Sequence, residues 1–206
     1  MRTPPVYNVV AVLSAPVLYG PFRLRVRGKE NLPSSGGYVL TCNHVSSFDP
    51  WPLGMPLWPK VWLRIMAKSE LYWWPATLVL NGAGAFKVRR GLGDVEAIAT
   101  AVRLAREGET VMMFPEGTRR TKGLLKKREA RPRTGAARIA LEAGVPLVPA
   151  AVAGTDRLMR FPQLRVAYGT PVDIDDLRGS EDLRAAAQEA TDRLMARIAE
   201  LESSLA

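Results

Sequence analysis

Short apolar stretches recur along this chain, and segments with helical spacing separate them. Tyr38–Cys42 and residues 110–114 and 150–153 are each four or five residues long and largely apolar. Runs of this kind are typical of strands that are buried on both faces of a sheet. Because consecutive parallel strands need a long crossover, usually a helix, alternating strands and helices indicate a parallel sheet. The sequence therefore predicts an α/β fold, a single domain with a mostly parallel sheet flanked by helices.

The same reasoning places the remaining elements. Strict alternation predicts a half-exposed strand at residues 22–27, and apolar runs predict strands at 63–66, 85–91 and 164–168. One helix is predicted to start at Ser69 and Glu70 and to run through the double tryptophan 73–74, and another covers 134–143. Asp94 and Gly108 bound a helix with an apolar stripe (Val95, Ile98, Val102, Ala105), and a second stripe predicts a closing C-terminal helix (Leu183, Ala187, Ala190, Leu194, Ile198, Leu201).

Residues 6–22 form an N-terminal apolar segment beside a basic flank. The run has 17 residues and contains Pro16, whereas a spanning helix needs about 20 apolar residues. We therefore expect a membrane-associating helix that lies in one leaflet rather than crossing the bilayer. The alternative is a helix packed on the core. The predicted domain organisation is an interfacial segment at residues 1–22 and the main folded domain at residues 23–206.

Charge and aromatic placement indicate the kind of partner. The net charge is +9 and the pI about 10.1, which favours an anionic partner such as nucleic acid, a membrane surface or a phosphorylated substrate. All five tryptophans fall between residues 51 and 74 among apolar residues, and residues 119–133 hold eight Lys or Arg against one Glu. A nucleic-acid surface would interleave aromatic and basic residues, so we expect membrane lipids and no nucleic acid. One cysteine and one histidine exclude an internal disulfide and argue against a metal site.

His44 and Asp49 are the strongest candidate for catalysis. His44 is the only histidine, and a neutral imidazole is the usual general base near pH 7, with a carboxylate to fix its tautomer. Residues five apart diverge by about 140° on a helix, so the pair can meet only across a turn, which Ser46 and Ser47 favour. Asp49 before Pro50 also predicts a helix N-cap. The motif follows the strand Tyr38–Cys42, at the sheet edge where α/β proteins keep their sites.

Four blocks stand in order along the chain: residues 43–49 with His44 and Asp49, residues 84–90 (Gly-Ala-Phe-Lys-Val-Arg-Arg), residues 114–119 (Phe-Pro-Glu-Gly-Thr-Arg) and residues 145–149 (Val-Pro-Leu-Val-Pro). This set resembles the glycerolipid acyltransferases of the 1-acylglycerol-3-phosphate acyltransferase type, with their His-x4-Asp and Pro-Glu-Gly-Thr-Arg motifs. The resemblance covers roughly residues 20–170. It departs from the pattern at residues 131–136, where Arg-Pro-Arg-Thr-Gly-Ala stands in place of Phe-Lys-x-Gly-Ala.

The resemblance implies an activity and a set of site residues. A fatty acyl chain would pass from acyl-CoA or an acyl carrier protein to the hydroxyl of 1-acylglycerol 3-phosphate, with no cofactor and no metal. His44 would be the general base and Asp49 its orienting carboxylate. Acceptor and phosphate contacts would come from the second and third blocks (Arg90, Glu116, Gly117, Thr118, Arg119), with Lys87 and Arg89 as possible additional contacts. Alternative acceptors are glycerol 3-phosphate or another lysophospholipid.

Other readings of the residues stay open at this point. A Cys–His acyl-enzyme through Cys42 is one, since Cys42 and His44 share a face of an extended strand. A non-catalytic basic membrane-binding module would explain the charge but leaves the four blocks without a role. A thioesterase or lipase lacks the Gly-x-Ser-x-Gly elbow. For the acyltransferase, we expect a peripheral or monotopic protein at the cytoplasmic face of the cell membrane.

Overall fold

The computed structural model describes residues 3–68, 72–74, 76–88, 94–117 and 132–205. Seven strands lie in one sheet: β1 (Arg25–Arg27), β2 (Tyr38–Cys42), β3 (Leu63–Lys68), β4 (Ala85–Val88), β5 (Thr110–Met113), β6 (Leu147–Ala153) and β7 (Arg165–Tyr168). The α-helices of these ranges are α1 (Pro5–Tyr19), α2 (Pro50–Gly54), α3 (Ala76–Gly82), α4 (Asp94–Arg106), α5 (Gly135–Ala143) and α6 (Leu183–Ser204).

The sheet is mostly parallel, as predicted. Its order is β1-β7-β6-β2-β5-β3-β4. Every pairing is parallel except that between β6 and β7. The edge pair β1 and β7 therefore runs opposite to the other five strands. β2 lies between β5 and β6, so the carboxyl ends of these three strands meet at one edge.

Helices cover both faces of the sheet. Residues of α4, α5 and α6 pack on one face in one apolar cluster, and residues of α1 and α2 pack on the other face in a second. β2 shows the alternation that two covered faces require: Val39 belongs to the first cluster, whereas Tyr38, Leu40 and Cys42 belong to the second. The predicted α/β architecture is confirmed.

The N-terminal segment is helical, and only part of its surface is covered. Ala11 and Leu18 are buried in the second cluster, whereas Val9, Val12 and Leu13 are 57, 56 and 70% exposed. α1 thus combines the packed helix of the alternative reading with an uncovered apolar side. None of the helices in the described ranges has the length and apolarity needed to cross a bilayer.

The tryptophans divide into two groups. Trp51 and Trp58 pack partly buried against the second cluster, and the guanidinium of Arg64 lies 4.2 Å from the ring centre of Trp62. Trp73 and Trp74 are 63 and 80% exposed and precede α3 rather than lying in it. The predicted helix through the double tryptophan is therefore wrong there, because Pro75 disfavours helical geometry at the residue before it. Its predicted start at residues 69–70 lies outside the described residues.

Two predicted strand boundaries and one residue of a predicted helix stripe need correction. The strand predicted at 22–27 is shortened to β1 because Arg23 adopts a φ of +45°, which is incompatible with extended backbone. β6 begins at Leu147, before the predicted start at residue 150, and takes the proline-bounded block into the sheet. On α4, Ile98, Val102 and Ala105 pack in or against the first cluster as predicted, whereas Val95 is 71% exposed and lies off the packed face.

Candidate active site

Three side chains that follow the carboxyl ends of β2, β5 and β6 lie close together at one edge of the sheet. His44 follows β2, Phe114 follows β5 and Thr155 follows β6. Because β2 pairs with both neighbours in parallel register, these residues leave the sheet at the same edge. The expectation that the His44 motif lies at the carboxyl edge of the sheet is confirmed.

His44 and Asp49 meet across a turn, as their spacing requires. His44 Nδ1 lies 2.8 Å from Asp49 Oδ2. A carboxylate only accepts hydrogen bonds, so Nδ1 carries the proton and Nε2 keeps a lone pair. The His44 side chain is 18% exposed and that of Asp49 is fully buried. This arrangement leaves one ring nitrogen able to accept a proton at the edge of the site.

The Asp49 carboxylate organises the whole turn. Its Oδ2 also accepts bonds from the backbone N–H groups of Val45 and Ser46, both at 2.9 Å. Pro50 begins α2 as predicted, but the Asp49 side chain makes no capping bond to that helix. The predicted N-cap role of the side chain is wrong because the carboxylate turns back to the His44 ring and the two amides.

Thr155 completes the shell around Asp49. Its hydroxyl is buried and donates to Asp49 Oδ1, the oxygen that faces away from His44. Among the described residues, Asp49 thus accepts from one ring, two amides and one hydroxyl. Buried charges need such partners. The sequence interpretation missed Thr155, although its position after a buried strand was a usable signal.

Phe114 supports the other side of the imidazole. The two rings are stacked with centroids 4.0 Å apart and planes inclined by 22°. Phe114 directly precedes Pro115, Glu116 and Gly117, so the first and third sequence blocks are in contact. The stack and the Asp49 bond together restrict the orientation of the His44 ring.

The side chain of Asn43 hydrogen-bonds the end of β2 to β6 and to α6. Its side-chain oxygen accepts from Val152 N at 2.9 Å, and its amide donates to Val152 O at 3.0 Å and to Glu202 Oε1 at 2.9 Å. The side chain therefore pairs with β6 as a strand residue would. This contact fixes the chain one residue before His44 and ties it to the end of α6.

The third block forms a tight turn after β5. Gly117 has a φ of +63°, and its N–H donates to Phe114 O at 3.0 Å. Glu116 is buried at 4% exposure. Arg133 returns to this turn: its N–H donates to Pro115 O at 2.7 Å, and its Nε lies 2.8 Å from the place a Cβ on Gly117 would take. The space over Gly117 is therefore occupied by a guanidinium that the sequence interpretation did not single out.

The remaining predicted site residues cannot be placed against this turn. Thr118 and Arg119, and Arg89 and Arg90 of the second block, lie outside the described residues. The backbone of Lys87 lies in β4, an edge strand that β3 separates from β5. The basic loop predicted at 119–133 likewise lies outside the described residues up to position 131.

An apolar cavity opens beside the turn of residues 44–49. It measures about 220 Å³ and is lined by α1, by α2, by β3 and by Ser47 and Phe48 of the turn between His44 and Asp49. Tyr7 and Ala11 form part of the α1 wall. Burial raises the pKa of the Tyr7 phenol, so this wall carries no charge from Tyr7. The cavity can hold an apolar chain next to the turn.

Cys42 is fully buried in the second apolar cluster, and its thiol lies 3.1 Å from Asn43 Oδ1. This placement argues against the Cys–His acyl-enzyme alternative, because the sulfur does not reach the surface at which substrate arrives. In the part of the chain that the structure describes, no three His, Cys, Asp or Glu residues come together as metal ligands would.

Fold and site together define an α/β protein with a histidine–carboxylate pair at the carboxyl edge of its sheet, and comparison with known proteins gives the family. The acyltransferase family profile matches residues 23–153. The 1-acyl-sn-glycerol-3-phosphate acyltransferase of Bacillus subtilis (strain 168) is 35% identical over 190 residues, which are 88% of this chain and 89% of that protein. The chain therefore belongs to the acyltransferase family, in the 1-acylglycerol-3-phosphate acyltransferase group that its four blocks resemble, and it is an O-acyltransferase.

More distant relatives agree with this assignment. The 1-acyl-sn-glycerol-3-phosphate acyltransferase of Escherichia coli (strain K12) is 26% identical over 202 residues, 92% of this chain and 78% of that protein. Among solved structures, the 1-acyl-sn-glycerophosphate acyltransferase PlsC from Thermotoga maritima superposes with a TM-score of 0.65 at 22% identity. The match covers 95% of this chain and 78% of that one, and it shows a shared fold.

Proposed function

We propose that this protein transfers a fatty acyl chain from a thioester donor to the free hydroxyl of 1-acylglycerol 3-phosphate. The relatives that match nearly the whole chain carry this activity in their names. The observation that carries the proposal is the contact between His44 Nδ1 and Asp49 Oδ2, because it leaves a basic nitrogen where an acceptor hydroxyl can approach.

The proposed chemistry is a direct transfer. The acceptor oxygen attacks the thioester carbonyl carbon while His44 Nε2 takes its proton. The C–S bond then breaks, and the departing sulfur takes that proton from the imidazolium, which releases the thiol and restores neutral His44. A positioned general base contributes roughly 10²–10⁴ in rate. Asp49 stabilises the imidazolium that forms, as the carboxylate does in a serine-hydrolase triad. The thiolate is a good leaving group, since free thiols have a pKa near 8.5, so the step needs neither a protein nucleophile nor a metal or cofactor.

The acceptor phosphate is proposed to bind at the turn of residues 116–119. Gly117 has no side chain, so the Arg133 guanidinium can pack over the backbone of this turn. Arg119 offers a planar fork for two phosphate oxygens. Arg90 is the proposed second cation, with Lys87 and Arg89 beside it in sequence. Glu116 is proposed to orient Arg119 or the acceptor hydroxyl.

The acyl chain is proposed to occupy the cavity between α1 and the catalytic turn. The cavity is bordered by Ser47 and Phe48, which lie between the two catalytic residues. An acyl chain there would place its thioester end near His44. Acyl-CoA or an acyl carrier protein is the proposed donor.

Membrane association is proposed to occur through the uncovered side of α1. Val9, Val12 and Leu13 are more than half exposed, and a bilayer would bury them at roughly 25 cal/mol per Å² of apolar surface. The lipid acceptor and product both partition into the bilayer, so an interfacial enzyme meets them directly. The cytoplasmic face of the membrane is the proposed location.

The test is thiol release from palmitoyl-CoA by the purified protein with oleoyl-lysophosphatidate, with glycerol 3-phosphate or with no acceptor. Release that depends on lysophosphatidate is the expected result. A preference for glycerol 3-phosphate would instead assign the enzyme to the preceding acylation, in which glycerol 3-phosphate is the acceptor. Equal release without acceptor would contradict the proposal and indicate a thioesterase. If palmitoyl-CoA gives no release, palmitoyl-loaded acyl carrier protein is the second donor, and failure of both donors would also contradict it.

A further inference from the structure

A short segment between β6 and β7, residues 155–161, presents large apolar side chains to solvent. Met159 is 93% exposed and Phe161 is 58% exposed. Leu158 points the other way and packs partly buried against the second apolar cluster. The segment is thus held to the domain by one face while the other projects outward. An almost fully exposed methionine beside an exposed phenylalanine is a feature of surfaces that contact lipid or another molecule.

Cations surround these two apolar side chains. Arg157 and Arg160 lie within the segment, and both are exposed. Arg23 donates from its guanidinium to Phe161 O at 3.4 Å. Asp156, whose carboxylate lies 3.5 Å from Arg157 Nε, is the one acidic residue of the segment. The surface therefore combines two exposed apolar side chains, Met159 and Phe161, with positively charged arginines around them. This composition is typical of a segment that binds an anionic bilayer.

The position of the segment adds a second argument. The Phe161 ring lies 5.5 Å from that of Phe22, three residues beyond the end of α1. The exposed tips therefore stand next to the C-terminal end of the helix whose uncovered side is the proposed membrane contact. At its other end the segment starts with Thr155, which binds Asp49 Oδ1. One continuous piece of chain thus leads from the catalytic carboxylate to the exposed tips.

We propose that residues 155–161 form a second membrane contact, in which Met159 and Phe161 enter the interface of an anionic bilayer while Arg23, Arg157 and Arg160 bind lipid headgroups. This inference rests on the proposed function, since a lipid acceptor gives the enzyme a reason to dock there. Two contacts fix an orientation that a single helix would leave free to rotate. The orientation turns the carboxyl edge of the sheet, with His44, toward the bilayer surface.

The test measures vesicle binding without turnover. Wild type, Met159→Asp, Val95→Asp and Leu13→Asp are sedimented with vesicles of equal parts phosphatidylglycerol and phosphatidylcholine. Val95 is the matched control because it is 71% exposed and lies on α4, across the sheet from the segment, and it receives the same charge change. We expect Met159→Asp to lower the vesicle partition coefficient about tenfold, because it removes an apolar contact and adds a negative charge at the membrane. Val95→Asp should lower the partition coefficient less than about twofold, because it changes only the net charge of the protein.

A charge variant tests the cationic margin separately. Arg157→Gln with Arg160→Gln should weaken binding to the anionic vesicles about thirtyfold, because each basic residue contributes about 1 kcal/mol at an anionic surface. The weak binding to pure phosphatidylcholine should stay unchanged. Arg184→Gln, on exposed α6 surface, is the control and should change binding by less than about twofold. Thermal melts of all variants check that the fold is intact.

Two results would overturn this inference. If Leu13→Asp abolishes binding while Met159→Asp behaves like Val95→Asp, α1 is the whole membrane contact. If Met159→Asp keeps vesicle binding but raises the KM for an acyl carrier protein donor, the surface binds that protein instead. The vesicle-binding comparison itself needs no turnover, so absence of acyl transfer in the wild type would contradict the proposed function and leave the binding result standing.

Discussion

Replacing Thr155 by valine removes a single hydroxyl from the shell around the Asp49 carboxylate. Valine has nearly the same shape, so the substitution leaves the packing in place. It removes the donor to Asp49 Oδ1 and leaves the His44 bond and the two backbone amides on Oδ2. The carboxylate would then keep its partners on one oxygen and face a methyl group with the other.

The magnitude follows from that geometry. A hydrogen bond to a buried charged group contributes about 1.5–3 kcal/mol, and leaving the acceptor unsatisfied costs a similar amount. For a chain of this size a loss of about 2 kcal/mol lowers the melting temperature by roughly 4–8 °C. Rotation of the released carboxylate weakens its hold on the imidazolium, and a loss of about 1.4 kcal/mol in the transition state lowers kcat about tenfold. The KM for the acceptor should stay unchanged because Thr155 donates to Asp49 rather than to substrate.

The assay compares kcat, KM and melting temperature for Thr155→Val, Thr155→Ser and Thr191→Val. Serine keeps the hydroxyl and should recover most of kcat. Thr191 is the matched control, since it is also fully buried and its hydroxyl donates to Ala187 O at 2.7 Å, on α6 away from Asp49. Thr191→Val should lower stability and leave kcat within about twofold, because its bond is neutral and remote from the chemistry. Equal kcat values for the valine and serine variants at position 155 would refute the positioning role.

Two further substitutions test the turn after β5 and the end of β2. Gly117→Ala should raise the KM for the acceptor about tenfold, because a Cβ at this φ costs about 1–2 kcal/mol and would displace Arg133. Gly36→Ala is the control, since Gly36 has a φ of +82° and open space around it. That variant carries the same backbone strain without the clash and should leave the KM for the acceptor unchanged. Asn43→Ala should lower the free energy of unfolding, measured in urea, by roughly 2–3 kcal/mol. The reason is that the substitution leaves the buried N–H and C=O of Val152 without their Asn43 partners. An unchanged urea midpoint would contradict this explanation.

Much of the fold could be predicted because local patterns and global packing agree. Tyr38–Cys42 was predicted with the bounds that the structure shows, since a strand buried on both faces leaves an uninterrupted apolar run. The edge elements were harder. The strand at residues 22–27 alternates as a strand should, yet Arg23 has a φ of +45°. It lies in the turn that follows α1, where its N–H donates to Gly20 O, and the alternating pattern gives no signal of that turn.

The candidate site shows the same division between local and distant interactions. The His44–Asp49 contact was predictable because five residues and a turn determine it. The sequence allowed two roles for the Asp49 carboxylate, helix capping and ring orientation, and only the fold shows that the second prevails. Thr155 could not be paired with Asp49 from sequence, because 106 positions separate them and no spacing rule reaches that far.

The central claim is that His44 is the general base of an acyl transfer. Its most direct test is the initial rate of thiol release from palmitoyl-CoA, dependent on oleoyl-lysophosphatidate, for wild type and His44→Ala at equal, saturating substrate. The account predicts a loss of about 10²–10⁴. The melting temperature should fall by roughly the 4–8 °C expected for Thr155→Val, because alanine removes one donor to Asp49 while its two backbone amide partners remain. A His44→Ala protein that retains more than about a tenth of the wild-type rate would contradict it, since removal of a working general base costs at least about a hundredfold.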